Sequence, residues 1–432
     1  MSRIKTWKNL GIFVLLGLLT SWVVSCSSGN VGTGARQSSS GTRGIEFWTM
    51  QLQPEFTDYF KNLIATFEAA NPGIKVTWLD VPWSAMPSKI LTAVSAKTAP
   101  DVVNLNPDFA SRLAGRNAWL DLDAKVPPDV RSSYLTNIWK ASTLNGKSFG
   151  IPWYLNTQLT IYNTELLKQA GISKPPATYA ELAQMARQIK DKTGKYALFL
   201  TLVPEDSAEV LESFVQMGVT LVDAQGQAAF NTPVGKAAFH YWVDLYKKGL
   251  LPRESLTQGH RHGIELYQAG ETALLSAGAE FLSTITKNAP AIAQVSAIAP
   301  QLTGETGKKN VAVMDLVIPR DTAQPDAALK FALFVTNNKN QLAFAKAANV
   351  LPSTIQALSD SYFKNLSDDA SSQAKARLVS ASQLKQAEVL IPAMKDINLL
   401  QKAIYENLQA AMLGEKTLDQ AVVDAAQQWN QR

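Results

Sequence analysis

Short apolar segments alternate with amphipathic ones along most of the chain. Segments rich in β-branched and aromatic residues, bounded by turn residues, predict strands at 45–48, 73–79, 101–105, 160–163, 196–200, 272–276 and 311–319. Between them, apolar residues recur at three- and four-residue steps, which predicts helices. Strands that alternate with helices favour a largely parallel sheet, and two successive series of them favour two α/β lobes.

The helix pattern is clearest where the sequence also marks the helix ends. In "FTDYFKNLIATFEAANPG" the apolar period stops at Asn71-Pro72-Gly73. In "TYAELAQMARQIKDKTGK" we expect Thr178 to cap the helix together with Glu181, and Gly194 to end it. Beyond about residue 322 the pattern is nearly all helical, at 325–335, 338–348, roughly 367–385, 394–413 and 416–430.

The first 44 residues have a different composition. Basic residues precede an apolar run at 10–24, which is short for a spanning helix of about 20 residues and typical of a signal-peptide core. The only cysteine, Cys26, follows Val23-Val24-Ser25, which resembles the bacterial lipobox with Val in place of the usual Leu. That resemblance implies cleavage before Cys26 and a diacylglycerol on its sulfur. A buried structural cysteine, or a plain signal peptide with a chance cysteine, is the alternative.

The predicted order is therefore a lipoprotein signal peptide at 1–25, then the lipidated Cys26 and a flexible Gly/Ser-rich tether at 26–44. Each buried methylene contributes ~0.8 kcal/mol, so two or three acyl chains hold a protein firmly on a membrane. We expect an exported protein, lipid-anchored at the cell envelope.

The charge distribution argues against a nucleic-acid partner. The 41 basic residues include Arg3, Lys5, Lys8, Arg36 and Arg43, all of which precede the first acidic residue, Glu46. The remaining 36 equal the number of acidic residues in the folded body. A nucleic-acid-binding domain carries a basic excess, and this one has none.

Aromatic and polar residues follow several predicted strands. Ligands of open α/β sheets bind beyond the carboxyl ends of strands. An aromatic plane covers the C–H face of a sugar, while carboxylates and amides bind its hydroxyls. The positions with this character are Trp48, Gln51, Gln53, Trp83, Asn106 and Asp108 after the first three strands, and Trp153, Tyr154 and Asn156 at a predicted crossing between lobes.

Several segments in order resemble one family. They are "FEAANPGIKVTW", "AVSAKTAPDVVNLN", "NGKSFGIPWY", "TIYNTELLKQAGISKPPATYAEL", "LYQAGETALLSAGAEFL" and "NVLPS". From about residue 45 to 430 the chain resembles the family 1 extracellular solute-binding proteins, the sugar-binding lipoproteins of bacterial ABC importers. The resemblance implies the α/β fold of type II periplasmic-binding proteins, with two lobes, a hinge and a ligand cleft between them. The N-terminal lobe would be 45–155, with about 312–365 returning to it, and the C-terminal lobe 156–311, followed by a helical segment at about 366–432.

The same resemblance implies a function without catalysis. Closure of the lobes captures a carbohydrate, and the closed form delivers it to the permease subunits in the membrane. No cofactor or metal is implied, and we expect a monomer. Carried over by position, the ligand contacts fall on the nine residues above and on Glu280 and Phe281 in the second lobe. Asp315 joins them because "VMDL" stands where many members have a Gly-Gly pair. Three candidate stacking tryptophans favour a disaccharide or short oligosaccharide.

Other readings of the same residues stay open at this point. An exported glycan-degrading enzyme also has carboxylates beside aromatics, but needs two of them roughly 5 to 10 Å apart across one bond. Polyamine-, iron- or peptide-binding proteins are further alternatives. "GHRHG" at 259–263 could give a metal pair or a rim contact to sugar from His260 or His262, and is more typical of a polar loop. "LTGETGKKN" lacks the residues of a phosphate-binding loop at 302 and 309.

The lipidation hypothesis gives the first testable prediction. Cys26→Ala removes the only thiol that can carry the diacylglycerol. In bacteria fed radiolabelled palmitate, we expect label on the wild-type protein and on a Ser27→Ala control, and none on Cys26→Ala. Label that persists on Cys26→Ala would contradict lipidation at this cysteine.

Overall fold

The computed structural model describes residues 43–432 apart from 205, 368, 369, 392 and 395, and leaves the side chains of Arg43 and Asp108 undescribed. The predicted signal peptide, Cys26 and most of the tether lie outside these residues. Among the described residues, no helix is both long enough and apolar enough to cross a membrane.

The elements alternate between strands and helices in the first half of the chain. They are β1 (Arg43–Met50), α1 (Thr57–Ala70), β2 (Ile74–Val81), α2 (Met86–Ser95), β3 (Val102–Leu105), α3 (Pro107–Ala114), α4 (Pro128–Ser132), α5 (Thr136–Ala141), β4 (Thr143–Leu144), β5 (Lys147–Ser148), β6 (Ile151–Thr157), β7 (Leu159–Asn163), α6 (Thr164–Gln169), α7 (Tyr179–Thr193), α8 (Glu209–Gln216) and α9 (Pro233–Lys247).

The second half is richer in helix. Its elements are α10 (His260–Gln268), β8 (Leu274–Ala277), α11 (Phe281–Asn288), α12 (Pro290–Gln294), β9 (Ser296–Pro300), β10 (Lys309–Val317), α13 (Pro325–Val335), α14 (Asn338–Ala348), β11 (Leu351–Pro352), α15 (Ile355–Leu358), α16 (Ser372–Gln383), β12 (Ala387–Glu388), α17 (Ile397–Leu413) and α18 (Leu418–Asn430).

The first lobe is built on a mixed sheet. Its strand order is β11-β6-β10-β3-β1-β2, and β12 pairs with β10 beside this path. Strand β1 runs parallel to β2 and β3, whereas β10 runs antiparallel to β3 and β6. An apolar core on one face of this sheet includes Phe47 of β1, Phe60 of α1 and Phe331 of α13. A smaller core on the other face includes Val103 and Met86.

The second lobe departs from the expected parallel sheet. It has three strands in the order β8-β7-β9, and both pairs are antiparallel. Most of its core lies among helices, where Trp242 of α9 and Tyr405 of α17 are buried. The segment 196–200, predicted as a strand, forms only an isolated bridge between Tyr196 and Thr272. Strands β6 and β9 are not among the predicted strands; the sequence predicts a crossing between lobes where β6 lies, and no strand at 296–300.

The helix predictions are largely confirmed. Helix α1 ends at Ala70, before the Asn-Pro-Gly stop. Helix α7 begins with the predicted capping box between Thr178 and Glu181, and Gly194 follows it at a φ of 71°. The five helices expected after residue 322 are α13, α14, α16, α17 and α18, and the first two have the predicted bounds.

The chain crosses between the two lobes three times. The first crossing is Gln158, between β6 and β7, and the second is 301–308, between β9 and β10. The third leads from β11 through α16 and β12 to α17, which packs in the second-lobe core. We call this place, where the connections between the lobes lie together, the hinge, and we expect the lobes to rotate about it.

Asp315 lies inside the first lobe, at the point where β10 changes register against β6. It is fully buried, and burial raises the pKa of its carboxyl from 3.8 to about 7, partly offset by a hydrogen bond from the Ser142 hydroxyl. Gly150 leaves the space for it, since a Cβ there would lie 2.8 Å from the Asp315 Cγ. The carboxyl is therefore protonated in the folded protein below about pH 7.

Because Asp315 is buried, we expect Asp315→Asn to stabilise the folded protein by an amount that depends on pH. A group whose pKa is raised by folding stabilises the folded state below its unfolded pKa, and that stabilisation is lost as pH rises through the folded pKa. We expect Asp315→Asn to change the free energy of unfolding little at pH 4, and to increase it at pH 8 by up to roughly 4 kcal/mol. Urea unfolding at the two pH values measures this, with exposed Asp321→Asn as control. An equal effect of Asp315→Asn at both pH values would contradict a raised pKa.

Candidate functional site

Residues of both lobes line a cleft that contains two adjoining cavities. The main cavity has a volume of about 580 Å³ and is lined by Met50, Gln51, Leu52, Glu55, Phe56, Trp83, Tyr154, Asn156, Ala279, Glu280, Phe281, Ser283, Thr284, Phe344, Ala347, Ala348, Asn349, Val350 and Gln373. The side chamber has a volume of about 270 Å³, and its polar lining includes Asn106, Arg112, Asp206, Glu212 and Asn310 beside Trp83. Trp83 lines both. The main cavity lies within the 300–1,000 Å³ typical of small-molecule sites.

The first-lobe wall is formed by the turns after β1 and β2. The Asp80 carboxylate accepts hydrogen bonds from the backbone N–H groups of Leu52 and Gln53, both at 3.0 Å. This fixes the β1 turn, in which Gln51 has a φ of 53°. The Gln51 Oε1 in turn accepts from the Trp83 backbone N–H at 3.3 Å. Asp80 therefore positions the wall, and both of its oxygens accept hydrogen bonds within the first lobe.

Among the described residues, Trp83 is the only tryptophan with an exposed side chain. Its side chain is 43% exposed, and its ring lies 5.8 Å from that of Phe109, centroid to centroid. An exposed indole between two cavities offers an apolar plane to a ligand in either one.

The floor of the main cavity comes from β6. Tyr154 and Asn156 alternate along this strand with the buried Leu155, so both point to the cleft side of the sheet. Burial raises the pKa of the Tyr154 hydroxyl well above its ordinary value, with further increases from Glu280 and Asp80. Tyr154 is therefore a neutral hydroxyl that can donate and accept.

The second-lobe wall presents a carboxylate at the start of α11. Glu280 precedes the helix and hydrogen-bonds Asn156, and its Oε2 is buried with no partner in the described structure. Burial raises the pKa of this carboxyl. Its place depends on Gly278, since a Cβ there would lie 2.2 Å from the Glu280 Oε2. A hydrogen-bond donor on a ligand would pair with this oxygen.

The side chamber is acidic on its second-lobe side. Glu212 of α8 accepts a hydrogen bond from the Asn310 side chain at 2.7 Å, and burial, with the neighbouring Glu209, raises its pKa to about 8. Behind it, the His260 Nδ1 lies 3.4 Å from the Glu209 Oε1. Glu209 raises the pKa of His260 to about 9, more than burial lowers it. His260 is therefore a half-buried cation that partly balances the acids.

Seven of the twelve predicted ligand residues line the two cavities: Gln51, Trp83, Asn106, Tyr154, Asn156, Glu280 and Phe281. Asn106 also caps α3, accepting from the Phe109 N–H at 2.8 Å. Gln53 is exposed beside the cleft and does not line either cavity. Asp108 lies in α3, and its side chain falls outside the described part of the chain.

Three predicted contacts are buried in the first lobe instead. Trp153 is 0% exposed and stacks on Phe344 with ring centroids 4.8 Å apart, so it offers no face to a ligand. Trp48 is 6% exposed, beneath Lys89 and with its indole N–H bonded to Glu46. Asp315 is enclosed beside Gly150 and Ser142. All three lie inside strands β1, β6 and β10, and their side chains are enclosed in the first lobe instead of facing the cleft.

The sequence analysis missed several lining residues. Glu55, Phe56 and Phe344 of the main cavity carry no local motif, and Phe344 comes from a helix nearly 200 residues after β6. Glu212 and Asp206 were also missed. The only residue near this acidic region that the sequence singles out is His260, and it is considered there only as a metal ligand or a rim contact to sugar. Among the described residues, no group of three or more His, Cys, Asp or Glu is placed to hold a metal.

The chemistry of the main cavity suits a polar, uncharged or cationic ligand with an apolar face. The described lining of the main cavity includes Glu55 and Glu280 and no lysine, arginine or histidine. An anion would therefore meet repulsion from the carboxylates without a compensating base there. Hydroxyl or ammonium donors would satisfy the free oxygen of Glu280.

Comparison with known proteins agrees with the fold and the cleft. Residues 53–342 match the family model of the bacterial extracellular solute-binding proteins. A periplasmic-binding protein from Synechococcus sp. MITs9220, named for oligosaccharides and solved in complex with zinc, is 48% identical, covers 90% of this chain and 98% of its own, and superposes with a TM-score of 0.85. The diacetylchitobiose-binding protein DasA of Streptomyces coelicolor is 23% identical over 96% of both chains. The mannitol-binding protein of Pseudomonas aeruginosa is 22% identical over 85% of this chain and 88% of its own.

The family model covers well over half of the chain, and the fold superposes on that of the Synechococcus structure. The chain therefore belongs to the bacterial extracellular solute-binding proteins.

Proposed function

We propose that this protein is the carbohydrate-binding component of an ABC importer, and that its ligand is a disaccharide or short oligosaccharide. The observation that carries the proposal is the exposed Trp83, which lies between two cavities and opposite the partly unsatisfied carboxylate of Glu280. This is the pairing of apolar plane and hydroxyl acceptor that a sugar ring needs.

The size of the cleft supports more than one ring. A ligand seated in the main cavity reaches the side chamber along the face of Trp83, which lines both. The relatives named above bind oligosaccharides, diacetylchitobiose or mannitol by their names. The two adjoining cavities favour the oligosaccharide end of that range.

Closure of the lobes supplies the selectivity. Trp83 and Gln51 belong to the first lobe, and Glu280 and Phe281 to the second. A ligand that contacts both walls only when they approach shifts the population towards the closed form. The closed form would then deliver the sugar to the permease subunits. No bond of the sugar is broken in this proposal.

The lipid anchor and the lobe boundaries remain part of the proposal. A diacylglycerol on Cys26 and the tether to residue 44 would hold the folded body near its membrane partners. The first lobe would comprise 45–155 and about 312–365, and the second 156–311, with the helical segment from about 366.

Trp83 supplies a direct test of the carbohydrate proposal. Titration of the protein with mono-, di- and oligosaccharides should change tryptophan fluorescence saturably for one sugar class, without release of reducing sugar. Trp83→Ala should weaken that binding at least about tenfold, because stacked aromatic contacts contribute on the order of 1 kcal/mol beyond the buried area.

Leu413→Ala, which truncates an exposed apolar side chain at the end of α17, is the matched control and should bind normally. Polyamines and ferric citrate are the comparison ligands, and EDTA excludes a metal requirement. A response to a comparison ligand alone would contradict the carbohydrate proposal, and release of reducing sugar would establish an enzyme instead.

Gly278 allows a second test in which none of the proposed ligand-contacting side chains is replaced. Gly278→Ala places a Cβ where the Glu280 carboxylate lies, so the carboxylate must leave its position. We expect weaker sugar binding by about tenfold or more, corresponding to one charged hydrogen bond. Isothermal titration calorimetry measures this. Gly44→Ala is the control, since its Cβ would meet nothing within 4 Å. Unchanged affinity in Gly278→Ala would remove Glu280 from the site.

A further inference from the structure

The three crossings between the lobes are joined by buried amide side chains. The Gln301 Nε2 donates to the Gln158 Oε1 at 2.8 Å, which links the second crossing to the first. The Gln301 backbone N–H donates to the Gln383 Oε1 at 2.7 Å, at the end of α16. The Gln383 Nε2 lies 3.3 Å from the Gln158 backbone oxygen. Gln301 and Gln383 are both almost completely buried.

Asn310 extends these contacts in three directions. Its backbone N–H donates to the Gln301 Oε1 at 2.7 Å, and its Oδ1 accepts from the Leu390 N–H, on the third crossing, at 3.3 Å. Its Nδ2 donates to the Glu212 Oε1 at 2.7 Å. Glu212 also hydrogen-bonds Gln158. We call Gln158, Gln301, Asn310, Gln383 and Glu212 the hinge network.

The hinge network differs from an ordinary buried polar cluster in one respect. Its amide members each donate and accept, so they can exchange partners as strands rotate without leaving a buried group unpaired. Four of its members lie at the crossings, while Glu212 belongs to α8 of the second lobe and lines the side chamber. Glu212 is therefore the member that touches both the hinge and the cleft.

A carboxylate has about four acceptor positions, and Asn310 and Gln158 use two of those on Glu212. The others are available to a donor in the side chamber. Two amide partners already hold this side chain, so little side-chain entropy is lost when a ligand binds to it.

We propose that Glu212 couples the content of the side chamber to the lobe angle, because a ligand donor bound to its carboxylate fixes the hinge network in the arrangement of the closed form. This inference rests on the proposed function, and deepens it by assigning the side chamber to a hydrogen-bond donor of the ligand. The donor is a sugar hydroxyl or the ammonium group of an amino sugar. Glu212 is thus a contact residue, and Asn310, Gln301 and Gln383 are positioning residues that act through it.

The test follows lobe separation and affinity in the same molecules. The full chain with Cys26→Ser carries spin labels at Lys61→Cys on α1 and Lys247→Cys on α9, both exposed and on different lobes. Pulsed electron paramagnetic resonance gives the label distances, and calorimetry gives the affinity. The probes are neutral oligosaccharides and the matching oligosaccharides of glucosamine with free amines, which distinguish the hydroxyl donor from the ammonium donor.

We expect saturating sugar to shift the wild-type distances to one shorter population. Glu212→Gln replaces one carboxylate oxygen with an amide group that cannot accept. The neutral oligosaccharides are compared at pH 9, because burial raises the pKa of Glu212 to about 8 and its carboxyl is mostly ionised only above that value. It should lower the affinity about tenfold, as for one charged hydrogen bond, and leave a mixed population of open and closed distances at saturation. Glu415→Gln, exposed between α17 and α18, is the control and should close fully.

Two results overturn the proposal while the sugar-binding function stands. One is wild-type affinity in Glu212→Gln. The other is weaker affinity with complete closure at saturation, which makes Glu212 a contact without coupling. If no sugar closes the wild type, the proposed function and this inference fail together.

The positioning residues are tested without ligand. Gln383→Glu keeps the acceptor for the Gln301 N–H and removes the donor that faces Thr157 and Gln158. We expect broader label distances in the ligand-free protein, with a thermal unfolding midpoint that confirms folding. A distribution unchanged from wild type would remove the hinge network from control of the lobe angle. Should Gln383→Glu not fold, Asn310→Ser, which shortens the side chain that reaches Glu212, replaces it with the same expectation.

Discussion

The requirement that buried polar groups stay paired governs the hinge of this protein. Three chain crossings bring backbone and amide groups into the interior between two lobes, where an unpaired donor or acceptor costs about 1–3 kcal/mol. Gln158, Gln301, Asn310 and Gln383 meet that requirement with side chains that both donate and accept. The hinge is therefore polar and connected, and the walls of the cleft are held relative to it.

The two walls divide the chemistry of the cleft. The first-lobe wall is held by Asp80, whose two oxygens accept hydrogen bonds from the β1 turn. This wall offers the apolar face of Trp83 to a ligand. The second-lobe wall offers carboxylates, of which Glu280 keeps one oxygen without a partner in the described structure. Burial raises the pKa of both Glu280 and Glu212, so desolvation already disfavours their charged forms in the absence of ligand. A ligand that donates hydrogen bonds to them relieves part of that cost.

Local sequence signals predicted the helices well, and seven of the proposed site residues line the cleft. The capping box of Thr178 and Glu181 and the stop after Ala70 act over a few residues, so they could be read directly. Trp83 and Glu280, which line the main cavity, are proposed as contacts because they follow strands or match a family segment. The failures involve long-range packing. Trp153 faces either the cleft or Phe344, depending on which face of β6 is covered by α14. No residue near Trp153 in the sequence indicates which face that is. The antiparallel second sheet likewise depends on pairing between β7 and strands more than 100 residues away.

The central claim is that one sugar is held between Trp83 and Glu280 by closure of the two lobes. A crystal structure of the protein with its tightest-binding oligosaccharide tests this most directly. We expect a sugar ring over the Trp83 indole and a hydroxyl or amine within hydrogen-bond distance of the Glu280 carboxylate, with a second ring entering the side chamber. A sugar that contacts only one lobe, or that lies outside both cavities, would contradict it.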